Sequence, residues 1–155
     1  MRRVVITGVG LVTPIGAGKE KFWSGLIAGE CGISPVQSFD TSAFPVHMGA
    51  EVRGFEPEKY LQRRPPEEMG RGSQLAIAAA RMAIEDAGVD LGSYDRWRVG
   101  VSMATTSGEP QIVEQYNDIR KSQGLDAVPR ELPPKYPCHV IPSNVAIDFD
   151  LHGPC

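Results

Sequence analysis

The hydrophobic pattern opens with Arg3-Val4-Val5-Ile6-Thr7-Gly8-Val9, a β-branched run closed by Gly8 and Gly10. Such a run predicts a strand covered on both faces of a sheet. Residues 19–28 then read as a short amphipathic helix, with Phe22, Trp23, Leu26 and Ile27 on one side and Gly29 as its stop. Residues 30–64 are broken by Gly and Pro and predict a long loop, with one short strand over 46–52. Pro65-Pro66-Glu67-Glu68 places proline and acids where a helix begins, so a helix is predicted from there to Ala87, with Gly88 as its cap. Its apolar face would be Leu75, Ala76, Ala79, Ala80, Ala83, Ile84 and Ala87, with Arg71, Gln74, Arg81 and Glu85 opposite. Residues 98–103 predict a second buried strand. Residues 111–122 predict a helix on which Ile112, Tyr116 and Ile119 align. Five prolines make 124–142 a loop, and 144–149 predicts a short helix. Strands alternating with helices imply an α/β class with a mostly parallel sheet.

Composition narrows the choice. With 155 residues and 41% hydrophobic content the chain can fill one core and is not intrinsically disordered. A net charge of -3 disfavours a general nucleic-acid binder. The longest apolar run, 75–80, is too short to cross a membrane, and the N-terminus lacks the pattern of a signal peptide. Three irregularly spaced cysteines predict a reduced, cytoplasmic setting and no disulfide scaffold. The chain stops directly after an apolar segment, at His152-Gly153-Pro154-Cys155, which predicts that it is part of a longer polypeptide.

Candidate chemistry is sparse. Gly8-Val9-Gly10 follows a predicted strand, but the dinucleotide fingerprint needs a third glycine where Thr13 stands, and Pro14 interrupts the helix start. Glycines serving a tight turn explain the pair better. His47, His139 and His152 have no metal-ligand spacing with Cys31, Cys138 or Cys155, so neither a metal nor a cofactor is expected. Cys155 has no evident base, and no catalytic residue is assigned within the chain. Thr105-Thr106-Ser107-Gly108 follows the second predicted strand, where α/β folds bind substrates. The same residues serve equally well as a helix start, with Ser107 as N-cap and Glu109 in the first turn. Arg63-Arg64 form a basic pair ahead of the long helix.

Several separate segments, in order, resemble the β-ketoacyl-acyl-carrier-protein synthases. They are residues 2–16 (Arg-Arg-Val-Val-Ile-Thr-Gly-Val-Gly-Leu-Val-Thr-Pro-Ile-Gly), 22–33, 39–44, 79–88 and 151–155. The nearest branch is that of the elongating synthases of fatty-acid and type II polyketide pathways. The resemblance implies the N-terminal portion of a thiolase-like α/β fold, layered αβαβα, usually dimeric. It implies decarboxylative Claisen condensation of an acyl thioester with malonyl carried on acyl-carrier protein. The family nucleophile lies about seven residues beyond the Gly-Pro-Cys turn, and the family's histidines and lysine lie later still. Residues 1–155 alone are therefore expected to be inactive and to pack against the remainder of the synthase. The resemblance makes Thr105, Thr106, Ser107 and Gly108 the border of the acyl channel, with Ser107 at the gating position. It makes Arg63 and Arg64 part of the surface that docks the carrier protein, although Glu67 and Glu68 stand where relatives often carry basic residues. The segment between Pro142 and Gly153 is shorter than in the fatty-acid enzymes. A second reading is the matching part of a non-catalytic chain-length-factor-like partner.

Overall fold

A computed structural model describes residues 3–155, which divide into two compact units. One comprises residues up to 56 together with 81–89, and the other comprises 57–80 together with 90–155.

The first unit is built from short pieces. Residues 3–11 belong to no helix or sheet, and Val4, Val5 and Ile6 are 97%, 71% and 88% exposed. The expected strand, covered on both faces, is therefore not formed: an extended segment becomes a strand only beside another, and none pairs with it among the described residues. β1 (Val12–Thr13) and β2 (Gly16–Ala17) make a tight antiparallel hairpin. Within it the Thr13 hydroxyl donates to the Gly16 carbonyl at 2.9 Å. α1 (Lys19–Ile27) follows and ends before Gly29, whose φ of 70° is the left-handed stop. Its expected apolar side is only partly covered, with Phe22 half-buried and Trp23, Leu26 and Ile27 exposed. β3 (Ile33–Pro35) pairs antiparallel with β4 (Met48–Ala50), inside the predicted 46–52 segment. Both sheets are two-stranded and antiparallel, so the mostly parallel sheet expected from element order does not form within the described residues.

The second unit contains every buried apolar residue of the described chain: Met69, Ile77, Ala78, Leu132, Ile141, Val145, Ala146 and Phe149. α2 (Arg71–Ala87) contributes its first ten residues here and its last seven to the other unit. Its start departs from expectation. Pro66–Glu68 form a separate 3₁₀ turn, and Met69 is extended (φ −138°, ψ 160°), so Glu67 and Glu68 do not cap the long helix. The most deeply buried positions of α2 are Ser73, Ile77 and Ala78, while Leu75, Ala76, Ala79 and Ala80 are half-buried. The buried stripe is thus turned from the predicted one, because a buried carboxylate holds Ser73 inward.

α3 (Pro110–Gln123) matches the expected helix and begins with proline at its first position. The extended segment 99–104 carries no ladder; Val101 N–H donates to the Pro154 carbonyl at 2.9 Å instead. Gly153 lies too close to Val99 for a side chain, since a Cβ there would stand 2.5 Å from the Val99 carbonyl oxygen. α4 (Val140–Phe149) starts four residues earlier than predicted and absorbs Pro142 in its first turn. It is apolar almost all round and ends at Asp150 in the left-handed region (φ 59°). Among the described residues, no helix is long and apolar enough to cross a membrane.

Candidate functional site

The chemistry of the second unit gathers at the start of α2. A helix leaves its first N–H groups without intrahelical partners, and an acceptor must be supplied. Here it comes from Glu109, which is only 2% exposed. Its carboxylate accepts from Gly72 N–H at 2.8 Å, Ser73 N–H at 2.7 Å and the Ser73 hydroxyl at 2.7 Å. Gly70 and Gly72 make the room: a Cβ on Gly70 would stand 2.4 Å from the carboxyl carbon, and one on Gly72 would stand 3.0 Å from an oxygen. Glu109 occupies the N-cap position of α3 but does not cap that helix with its side chain. The expected N-cap at Ser107, with Glu109 serving its own helix, is corrected accordingly.

The network continues outward. Asn144 Nδ2 donates to Ser73 Oγ at 3.0 Å, and Arg64 Nη1 donates to Asn144 Oδ1 at 3.1 Å. Arg64 Nε also meets Glu68 at 3.1 Å. One turn along α4, buried Asp148 accepts the backbone N–H groups of Gln62 at 2.9 Å and Arg63 at 3.2 Å. Positions 144 and 148 share one helix face, so α4 fixes the 62–64 segment through both side chains. The Arg63 side chain reaches Asp150 at 3.4 Å. Lys135 donates to the Glu67 carbonyl at 3.1 Å and brings a further cation beside the 66–68 turn. That cation was invisible in the sequence, lying 68 residues from Glu67 inside a proline-rich loop.

Residues 105–107 are exposed, and Gly108 and Glu109 follow into the packed interior. The Thr105 hydroxyl donates to the Ser107 carbonyl at 2.6 Å and tightens the turn. Gly108 has no room for a side chain, because a Cβ would lie 1.8 Å from the Tyr136 carbonyl oxygen. Glu109 N–H donates to that same oxygen at 3.0 Å. Tyr136 also lines an apolar cleft of about 170 Å³ with Ile112, Val113, Tyr116 and Pro133. Gly108 thus abuts Tyr136, which also lines that cleft, while Arg63 and Arg64 are each paired with an acid, Asp150 and Glu68.

The first unit gathers a different cluster. Gly8 packs against the end of α2, where a Cβ would fall 2.1 Å from the Ala83 carbonyl oxygen. The Val9 N–H donates to Asp86 at 2.9 Å, and Lys19 pairs with the other oxygen of Asp86. The lysine, and secondarily the Val9 N–H, hold the Asp86 carboxyl below its ordinary pKa, and the same hydrogen bond raises Lys19. Gly8 thus serves close packing, and the Val9 amide is already engaged by protein. Glu51 is the other perturbed acid. Hydrogen bonds from Ser38, then Arg53 and the Gln37 and Ser38 amides, lower its pKa to about 2.

The cysteines 31, 138 and 155 are free and exposed. His152 lies against Trp97, with ring centroids 5.1 Å apart, and 3.5 Å from Asp150. His47 meets the Thr41 hydroxyl at 3.1 Å. Among the described residues, no three metal-ligating side chains come together.

Solved structures define the class. The chain superposes on the ishigamide ketosynthase/chain length factor with a TM-score of 0.92 and 31% identity, over 99% of this chain and 39% of that one. It superposes on a β-ketoacyl synthase from Burkholderia phymatum with a TM-score of 0.81 and 28% identity, over 99% and 38%. The fold is the N-terminal portion of the thiolase-like α/β architecture of ketosynthases. Residues 1–155 match the family model "Beta-ketoacyl synthase, N-terminal domain", and the chain belongs to that family. A curated relative, 3-oxoacyl-[acyl-carrier-protein] synthase 2 of Coxiella burnetii, is 36% identical over 158 residues, covering 99% of this chain. The chain spans 37% of that relative's length.

Proposed function

We propose that residues 1–155 form the N-terminal part of an elongating 3-oxoacyl-acyl-carrier-protein synthase. The observation that carries this reading is the 36% identity to a 3-oxoacyl synthase along 99% of the chain. In the complete protein, malonyl carried on acyl-carrier protein loses carbon dioxide, and the resulting enolate carbon attacks an acyl thioester and expels its thiolate. The nucleophile and the groups that assist decarboxylation lie outside these residues, so this part alone does not condense acyl groups. Thr105, Thr106, Ser107 and Gly108 border the acyl channel, a role supported by the apolar cleft that begins at Tyr136. Arg63 and Arg64 dock the acidic carrier, and Lys135 adds its charge beside the 66–68 turn. The rest of the synthase covers the exposed 3–9 segment, and the complete enzyme works as a dimer in the cytoplasm. Exposed thiols at 31, 138 and 155 suit a reducing compartment.

The test is condensation by the full-length protein with acyl and malonyl groups on carrier protein. Product is expected, with a raised KM for the carrier in Arg64→Glu and a shift toward shorter acyl groups in Ser107→Phe. A full-length protein that makes no product alone but supports condensation by a partner synthase would favour the chain-length-factor reading. That second reading draws on the 0.92 TM-score to the ishigamide ketosynthase/chain length factor. Cysteine about seven positions past Cys155 favours the enzyme, and glutamine there favours the partner.

A further inference from the structure

Arg64, Asn144, Ser73 and Glu109 form a hydrogen-bonded chain in which every donor points the same way. The guanidinium donates to Asn144 Oδ1, Asn144 Nδ2 donates to Ser73 Oγ, and Ser73 Oγ donates to Glu109 Oε1, at 3.1, 3.0 and 2.7 Å. A guanidinium cannot accept and a carboxylate cannot donate, so the amide and hydroxyl between them have one arrangement that satisfies both ends. The outer end is accessible: the Arg64 side chain is 40% exposed, whereas Asn144, Ser73 and Glu109 are buried. A ligand that draws Arg64 from both Glu68 and Asn144 leaves the Asn144 carbonyl oxygen without that donor and frees the amide to turn. Buried polar chains respond strongly to the loss of one member.

The inner end is tied to the 105–108 segment. Glu109 follows Gly108 directly, and both are locked against the Tyr136 carbonyl, one by contact and one by a 3.0 Å hydrogen bond. Glu109 thus joins the relay to the backbone that carries Ser107.

We propose that this relay couples engagement of Arg64 by an anionic carrier surface to the position of the 105–108 segment, with Asn144, Ser73 and Glu109 as positioning residues. The inference rests on the docking and acyl-channel roles proposed above and names what regulates that channel. Such coupling is reciprocal, so the acyl group in the channel also alters the hold on the carrier.

The test uses the full-length protein. The ratio of kcat/KM for a long and a short acyl chain is measured twice, with both delivered on carrier protein and with both as carrier-free pantetheine thioesters. In the unmodified protein the two ratios should differ by about fivefold, the lower end of usual coupling. Ser73→Ala removes the relay hydroxyl, keeps both backbone bonds to Glu109 and favours the helix. It should bring the two ratios within about twofold of one another, where little coupling is left. Asn144→Leu should do the same and serves as a second break in the chain. A simple loss of stability lowers all four rates together and leaves the comparison unmoved. Equal ratios in the unmodified protein overturn the proposal, and so does a difference that survives Ser73→Ala. Arg64→Glu separates the two levels. If it raises the carrier KM and Ser107→Phe shifts chain length while the Ser73→Ala difference persists, only the coupling fails. If Arg64→Glu leaves the carrier KM unchanged, the docking role fails and the coupling with it.

Discussion

Glu109→Ala should be the most damaging single substitution among the polar residues of this domain. The carboxylate accepts three hydrogen bonds, from Gly72 N–H, Ser73 N–H and the Ser73 hydroxyl. Alanine leaves all three donors without their acceptor in a site where Glu109 itself is 2% and Ser73 is 0% exposed. A buried donor left unsatisfied costs about 1–3 kcal/mol. Water entering the vacated space would re-engage some of them, and loss of a helix cap alone is worth about 1 kcal/mol. The sum expected is about 3–5 kcal/mol, a large share of the ~5–15 kcal/mol that holds a protein folded. Glu109→Gln keeps the shape but turns one end of the group into a donor facing a donor, so about 2 kcal/mol is expected. The measurement is urea unfolding of the full-length protein, with native-state hydrogen exchange at the Gly72 and Ser73 amides as the local readout. Stability within ~0.5 kcal/mol of the parent, the range of ordinary surface substitutions, and unchanged protection of both amides would refute the capping argument.

Three other outcomes are expected. Gly70→Ala drives a methyl to 2.4 Å from the Glu109 carboxyl carbon; overpacking of this kind should cost about 1–3 kcal/mol in the same unfolding assay. Gly8→Ala meets backbone, the Ala83 carbonyl oxygen at 2.1 Å, so residues 3–10 should lose their seat on α2 and become more open to limited proteolysis. Glu51 has a folded pKa of about 2 against an ordinary 4.5, so its stabilising effect is full above 4.5 and disappears as pH falls through 2; Glu51→Gln should flatten the stability profile across that window, and a carboxyl titrating near 4.5 by NMR would contradict the assignment.

The legible part of the fold was its local part. α1, α3 and the 46–52 strand follow from periodicity and punctuation, and the family resemblance carried the architecture. Residues 3–9 and 98–103 carry strand composition, but a ladder needs neighbours that element order alone does not supply. The start of α2 is not legible in the sequence, because Pro66, Glu67 and Glu68 imitate a local cap while the real acceptor is 36 residues from Ser73. For the same reason the Glu109 network had no signature: its four members span residues 64–144, and only the fold makes them adjacent. The basic pair at 63–64 and the 105–108 turn were visible as composition. Their link through Asn144 and Ser73 was not.

The glycines beneath Glu109 make the two loci mutationally interdependent. A Cβ at residue 70 and a carboxyl group from residue 109 compete for one volume, since they would stand 2.4 Å apart. Alanine at 70 should thus be harmful beside glutamate and better tolerated beside a shorter residue at 109, so the two substitutions will not add. A library that randomises either position alone samples only sequences constrained by the other. Randomising 70, 72 and 109 together opens solutions that neither single scan would recover. Among relatives, these three positions are expected to vary as a set.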